Sequence, residues 1–253
     1  MKEKASLQGS LSRKEKESVS STQDDRVYAH IFEAILEQRL APGVRLSEET
    51  LGEIFDVSRT TIRRALTRLS HEQVVLLRPN RGAVVASPSL DEAQQIFFAR
   101  RMVEKAITEL AVENATSADI ASLRAMVAEE QACFARHDVG AGIRLSGEFH
   151  LRLADIAGNA PLGVFQRSLV SQSSLVIALY DVGSKSHCSF DEHKEIIDAI
   201  ERKDAVRAVD LMMHHMDHID AKLNLSTKNT SDNLHEVFSH LAASGKKTSR
   251  KRA

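Results

Sequence analysis

The sequence predicts a mainly α protein in two folded parts: a short N-terminal unit of three helices closed by a β-hairpin, then a longer antiparallel bundle of helices. Three observations predict it. Aromatic residues make up only 4% of the 253 residues and Trp is absent, so the core must be Leu, Ile, Val and Ala, which favours helices. Apolar residues recur at helical spacing from about residue 90 to about residue 225, with no alternating run among them. One stretch, VVLLRPNRGAVVA, places two β-branched runs around Pro79-Asn80-Arg81-Gly82, the pattern of a small hairpin.

Each element has its own signal. Residues 1–23 are Lys, Glu, Ser and Gln with little to bury, and read as a disordered arm. In the unit over 24–87, Val27, Ile31, Ala34 and Ile35 repeat at helical spacing, and APGVRL (residues 41–46) ends that helix. Ser47 is placed to cap a second short helix carrying Leu51, Ile54 and Phe55; Asp56-Val57 forms a tight turn, and Ser58 caps a third helix. Ser87-Pro88 is the joint. Ser89 and Glu92 then make a capping box that opens the bundle over 88–225, with helices expected at 90–113, 117–136, 139–157, 161–180, 189–202 and 204–224. Ser189 and Glu192 form a second such box. Short links between long helices predict antiparallel neighbours. Residues 226–253 end in a basic tail, SGKKTSRKRA.

Composition narrows the function classes. Charged residues are 27%, hydrophobic residues 42%, and the formal net charge is -1, as in an ordinary globular protein. No unbroken apolar run has the length of a membrane span, and MKEKASLQGSLSRKEKE lacks the apolar centre of an export signal. Cys133 and Cys188 are too few for a disulfide framework or a zinc cluster. A cytoplasmic protein with no membrane partner is expected.

Charge is nonetheless polarised. Between residues 24 and 57 there are eight acids and three arginines; between 58 and 81 there are six arginines and only Glu72. In VSRTTIRRALTRLS, a wheel of about 100° per residue puts Arg59, Thr60, Arg63, Arg64 and Thr67 on one side and Ile62, Ala65, Leu66 and Leu69 on the other. A solvated surface face would mix signs for pairing along the helix; this one does not. The guanidinium fork pairs with phosphate or with guanine O6 and N7. Helix, tight turn, polar-faced helix and basic hairpin make a winged helix-turn-helix, with the third helix entering the major groove of duplex DNA. Arg45 and Arg78 extend the basic set.

These segments, APGVRLSEETLGEIFDVSRTTIRRALTRL followed by RPNRGAVVA, resemble the GntR family of bacterial transcription regulators. The resemblance implies that Ser58, Arg59, Thr60, Thr61 and Arg63 contact an operator and that Asn80, Arg81 and Gly82 form the wing tip. This chain departs from the family at Arg64, where Glu is frequent, and at Gln73, where Gly is usual. A left-handed Gln costs about 1 kcal/mol, so the helix is expected to end differently here.

The segments FFARRMVEKAITELA, FHLRLADIAGN and DEHKEIIDAIERKDAVRAVDLMMHHM resemble the all-helical FCD effector domain of the same family. That resemblance implies a homodimer and a small, carboxylated effector. It matches His150, His193 and His215 to three ligands of one divalent transition metal (zinc, nickel or manganese), and Arg100 to the partner of the effector carboxylate. The family's fourth ligand is an Asp at the position of Ser146, so the site loses a charge and an oxygen donor. Glu148 lies on another side of the helix. Weak metal binding with water in the gap, and no metal at all, both stay open. For Arg100 the alternative is a salt bridge to Glu104 with no ligand. Ser168, Ser171 and Gln172 either line the effector pocket or permit close helix packing. His214 and His218 read as a surface pair.

The reading is a non-enzymatic, ligand-responsive repressor on a palindromic operator. A helical metal-dependent hydrolase tethered to nucleic acid is the rival class, although no H-E-x-x-H is present. A structural DNA-binding protein without a ligand would have a closed apolar bundle core.

Overall fold

The computed structural model describes residues 22–79, 81–180 and 189–223. The expected arm and basic tail, the wing residue Asn80 and Cys188 lie outside these residues. Helix α1 (Gln23–Leu36) opens on a Thr22–Asp25 capping box and buries Val27, Ile31, Ala34 and Ile35. Strand β1 (Arg45–Leu46) follows, and Ser47 then caps α2 (Glu48–Phe55). The turn comes from Asp56 in the left-handed region, and Ser58 accepts from the Thr61 amide to cap α3 (Arg59–His71). Strands β2 (Val75–Arg78) and β3 (Gly82–Val85) form the wing.

Two local expectations are corrected. Strand β1 was not anticipated: two residues are too few for a period, and Leu46 pairs with Ala83 only because the hairpin folds back on it. The sheet order is β1-β3-β2, all antiparallel. The end of α3 was also misjudged. Gln73 does take the left-handed conformation (φ 61) that Gly usually supplies, and Val74 and Val75, buried directly after it, hold it there. Gly82 is needed in the literal sense. Its φ is 78, and a Cβ would stand 2.3 Å from the Leu46 carbonyl oxygen.

The bundle comprises α4 (Leu90–Asn114), α5 (Ser117–Ala135), α6 (Val139–Ala157), α7 (Ala160–Tyr180), α8 (Ser189–Glu201) and α9 (Ala205–Ala221). The Ser89–Glu92 capping box forms as expected. The described links are two or three residues long, which turns successive helices back on one another. The second capping box rests on the Ser189 side chain, which lies outside the described residues; Glu192, its other member, contacts His215 and His218. Helix α7 is long and apolar enough, by length and composition, to cross a membrane. Its buried Gln166, Ser171, Ser173 and Ser174 identify it as a core helix.

Two apolar clusters result. Ile31, Ile35, Leu46, Leu51, Ile62, Leu66 and Val85 fill the N-terminal unit. Phe97, Ile107, Leu123, Phe149, Leu153, Ile196 and Met212 fill the bundle. Helix α7 joins them: Leu175 belongs to the first cluster and Val176 to the second. The Ser168 hydroxyl donates to the Glu72 carbonyl at the end of α3 (3.0 Å), and Arg144 of α6 pairs with Glu37 after α1 (3.1 Å).

Candidate nucleic-acid interface and histidine centre

Helix α3 divides as its wheel requires. Ile62, Ala65, Leu66 and Leu69 are buried, whereas Arg59, Thr60, Arg63, Arg64 and Arg68 are exposed. Packing of one face against α1 and α2 thus leaves the other as a ridge of guanidinium and hydroxyl groups. Ser58 is exposed but spends its oxygen on the helix cap, and Thr61 hydrogen-bonds to it at 2.9 Å. Arg45 on β1, Arg78 on β2 and Arg81 at the wing turn are all exposed.

The ridge is not electrostatically bare. Arg63 forms a two-pronged pair with Glu48 (2.9 and 2.7 Å), Arg59 pairs with Glu49 (2.7 Å), and Arg68 pairs with Asp25 (2.5 Å). The acids come from the first turns of α2 and α1, where carboxylates are favoured by the helix dipole. The Arg63 guanidinium lowers the pKa of Glu48, whose slight burial opposes it. Arg64 has no ion pair among the described residues. The charge polarity visible in the sequence is therefore partly folded back on itself, a point that sequence reasoning missed.

The second site lies inside the bundle. His150 (α6), His193 (α8) and His215 (α9) are at most 1% exposed. Their Nε2 atoms converge: His215 lies 3.3 Å from His150 and 3.4 Å from His193. Each Nδ1 faces a carboxylate instead. His193 meets Glu130 at 3.0 Å, and His215 meets Glu192 at 2.6 Å. His150 Nδ1 lies 2.8 Å from Glu104 Oε1 but off the line of a good hydrogen bond. Burial pushes the pKa of His150 down to about 3 and that of His215 down to about 4, so both rings are neutral near pH 7. Glu104 is fully buried, which disfavours its charge, but His150, Arg100 and the Gln166 amide outweigh this and bring it down to about 2.

These positions have a chemical consequence. His193 and His215, whose Nδ1 atoms hydrogen-bond to carboxylates, turn their Nε2 lone pairs toward each other and, from His215, toward His150. Such acceptors repel at 3.3–3.4 Å unless a cation or a proton lies between them. Tetrahedral metal–nitrogen bonds of about 2.05 Å put ligand nitrogens about 3.3 Å apart. The residues present therefore fit a divalent transition metal, and carboxylates behind imidazoles are the usual support of such ligands. Ser146, one turn before His150, is half-buried, and Glu148 is paired with Arg144 instead.

Arg100 is 3% exposed, with Nε on Glu104 (3.2 Å) and a terminal nitrogen on the Ser173 hydroxyl (2.9 Å). The salt bridge raised as the alternative is thus present, with an unforeseen partner in α7. Gln166 donates to Glu104 at 2.6 Å, while Glu104 Oε2, Gln166 Oε1 and Thr108 Oγ1 are buried without hydrogen-bond partners among the described residues. In α7, Ser171 donates to the Arg167 carbonyl of its own helix, and Ser168 and Gln172 line a cleft between α4, α7 and the N-terminal unit. The three carboxylates behind the histidines also went unnoticed. Glu130 had a signal: it continues the apolar series Ile120, Leu123, Val127 at helical spacing, and an acid at a core position demands a partner.

Comparisons with known proteins agree with this geometry. Residues 23–85 match the family described as bacterial regulatory proteins, gntR family, and residues 95–218 match the FCD domain. The HTH-type transcriptional repressor RspR of Escherichia coli K12 is 22% identical over 210 residues, covering 83% of this chain and 92% of that protein. The Uxu operon regulator of Haemophilus influenzae is 27% identical over 224 residues, covering 79% and 82%. The solved structure of E. coli McbR/YncC superposes with a TM-score of 0.72 at 21% identity, over 79% of this chain and 96% of that one, and shares its fold. A putative GntR regulator from Rhodococcus sp. RHA1 superposes with a TM-score of 0.66 at 26% identity, over 79% and 96%. With a winged helix-turn-helix on one side of α7 and an FCD bundle on the other, the chain belongs to the GntR family and is a transcriptional regulator of the GntR/FCD type.

Proposed function

We propose that this protein is a repressor that binds a palindromic operator as a homodimer and releases it when a small carboxylate enters the bundle. The observation that carries the DNA part is the ridge of α3: four exposed arginines with an apolar face fixed behind them. Ser58, Arg59, Thr60, Thr61, Arg63 and Arg64 meet the major groove. Arg45, Arg78, Asn80, Arg81 and Gly82 meet flanking backbone or minor groove. Two copies place these helices on half-sites about 34–36 Å apart. Phe98 and Met102, 65% and 53% exposed and one turn apart on α4, supply an apolar stripe suited to pairing.

Arg100 receives the effector carboxylate through its planar fork. The unpaired Glu104 Oε2 and Gln166 Oε1 call for donors, which favours an effector that also bears hydroxyl or amino groups. His150, His193 and His215 hold one divalent transition metal, whose open positions would give an effector oxygen a Lewis-acid anchor. Ser146 leaves the place of a fourth protein ligand to water or effector.

Fluorescence anisotropy with DNA from the promoter of the protein's own gene tests the reading. Each two-pronged base contact is worth about 1–3 kcal/mol, so Arg59→Ala with Arg63→Ala loses at least about 30-fold in affinity. Undiminished binding refutes the assignment of α3. A thermal-shift screen of hydroxy- and amino-carboxylates, repeated with Arg100→Ala, tests the effector site.

A further inference from the structure

We propose that Glu192, His214 and His218 form a second, solvent-facing site for a divalent first-row transition metal, which shares Glu192 with the buried histidine centre. The ligand atoms of these three side chains lie within 4.8 Å of one another. His214 and His218 stand one turn apart on α9, with ring centroids 4.0 Å apart. That spacing sets two imidazoles on one side of a helix, as zinc-binding helices do. Helix α8 brings the third donor across. Two imidazoles and one carboxylate, with the remaining positions open to water, suit zinc and its neighbours in the first transition row.

Glu192 ties the two sites together. Its Oε2 lies 2.6 Å from His215 Nδ1, and its Oε1 contacts His218 Nδ1. A cation on Oε1 draws electron density from the carboxylate that supports His215, so filling the outer site weakens the inner one. Thermodynamic linkage makes the effect reciprocal. This coupling rests on the metal reading of the buried centre. The outer site does not, because His214 and His218 are separate side chains with exposed surface.

Untagged full-length protein, stripped by a chelator and dialysed against Zn²⁺, tests the proposal. Bound zinc is counted by mass spectrometry and affinities are read by competition with a chromophoric chelator. Two ions per chain are expected in the wild type, and one in the double variant His214→Ala, His218→Ala, whose circular dichroism stays unchanged. His193→Gln, which keeps side-chain bulk, loses the inner ion and retains the outer one. Glu192→Gln loses the outer ion and weakens the inner by at least about 10-fold. A double variant that binds as many ions as the wild type overturns the outer site, as does a single wild-type ion that His193→Gln removes. A single ion removed by the double variant but untouched by His193→Gln overturns the inner site and leaves the outer one standing.

Discussion

Glu49→Gln should tighten operator binding, because the ridge proposed to meet DNA is partly neutralised from within. In the free protein Arg59 lies 2.7 Å from Glu49, and both side chains are about two-thirds exposed (65% and 67%). Exposed pairs are worth about 0.2–1 kcal/mol, and DNA must break this one before the guanidinium can turn to phosphate or base. Removing the carboxylate returns that energy to binding, a gain of roughly 1.4-fold to 5-fold in affinity per subunit. The gain should shrink as salt rises, since the Debye length is already about 10 Å at 0.1 M. Anisotropy titrations of wild type and Glu49→Gln over a salt series measure it, with a non-operator duplex as control. Equal affinities at low salt would show that Arg59 does not leave Glu49 on binding. Weaker binding with a changed base preference would show that Glu49 itself accepts from a cytosine amine, and the reasoning would fail.

Other expectations follow from single contacts. Gly82→Ala places a Cβ 2.3 Å from the Leu46 carbonyl at a positive φ; it should cost more than the 1–2 kcal/mol of a left-handed Ala and lower the N-terminal melting transition by at least about 4 °C in calorimetry. Glu72 is raised in pKa, chiefly by burial, against the Tyr28 hydroxyl that donates to it at 2.5 Å. Its ionisation therefore opposes folding once pH passes the folded-state value, and the penalty vanishes below the unfolded one. Glu72→Gln keeps an acceptor for Tyr28, so it should melt higher than wild type at pH 7 and equally below about pH 4. Glu130→Gln removes the charge behind His193 and should weaken zinc binding at the inner centre by about 10–100-fold in chelator competition, with little change in DNA affinity when metal is saturating.

What the sequence disclosed depended on whether a signal was local. Caps at Ser47, Ser58 and Ser89, the apolar stripe of α3 and the turn at Asp56 are decided within a few residues, and all were legible. Strand β1 was not, because its pairing with β3 is a long-range event imposed on two residues. Gln73 misled for the opposite reason: its local cost is real, but the burial of Val74 and Val75 beside it outweighs a penalty of about 1 kcal/mol. In the bundle, the histidines were placed by resemblance, while the carboxylates behind them come from α4, α5 and α8 and need the tertiary fold to be seen. The pairing of the ridge with Glu48 and Glu49 was likewise hidden. The acids were counted as evidence of polarity, and only geometry shows them reaching across to the arginines.

On the proposed reading, helix α7 is the element that links the bundle site to the DNA-binding helix. From its bundle side, Ser173 holds Arg100 and Gln166 holds Glu104. From its other side, Ser168 holds the carbonyl of Glu72 at the end of α3, and the Arg167 guanidinium lies 5.8 Å from the Phe32 ring centroid of α1. These contacts occupy two turns of one helix, so they cannot all be kept if that helix shifts. A ligand that claims Arg100 must first release it from Ser173 and Glu104. The cost of that release falls on α7, the one helix among the described residues that enters both apolar clusters. Ligand binding can change DNA affinity only by favouring one arrangement of α7 over another, because equal affinity for both would shift nothing. Close-packed interiors relax by steps rather than by gradual bending, so the contact between Ser168 and Glu72 is where that step would be felt.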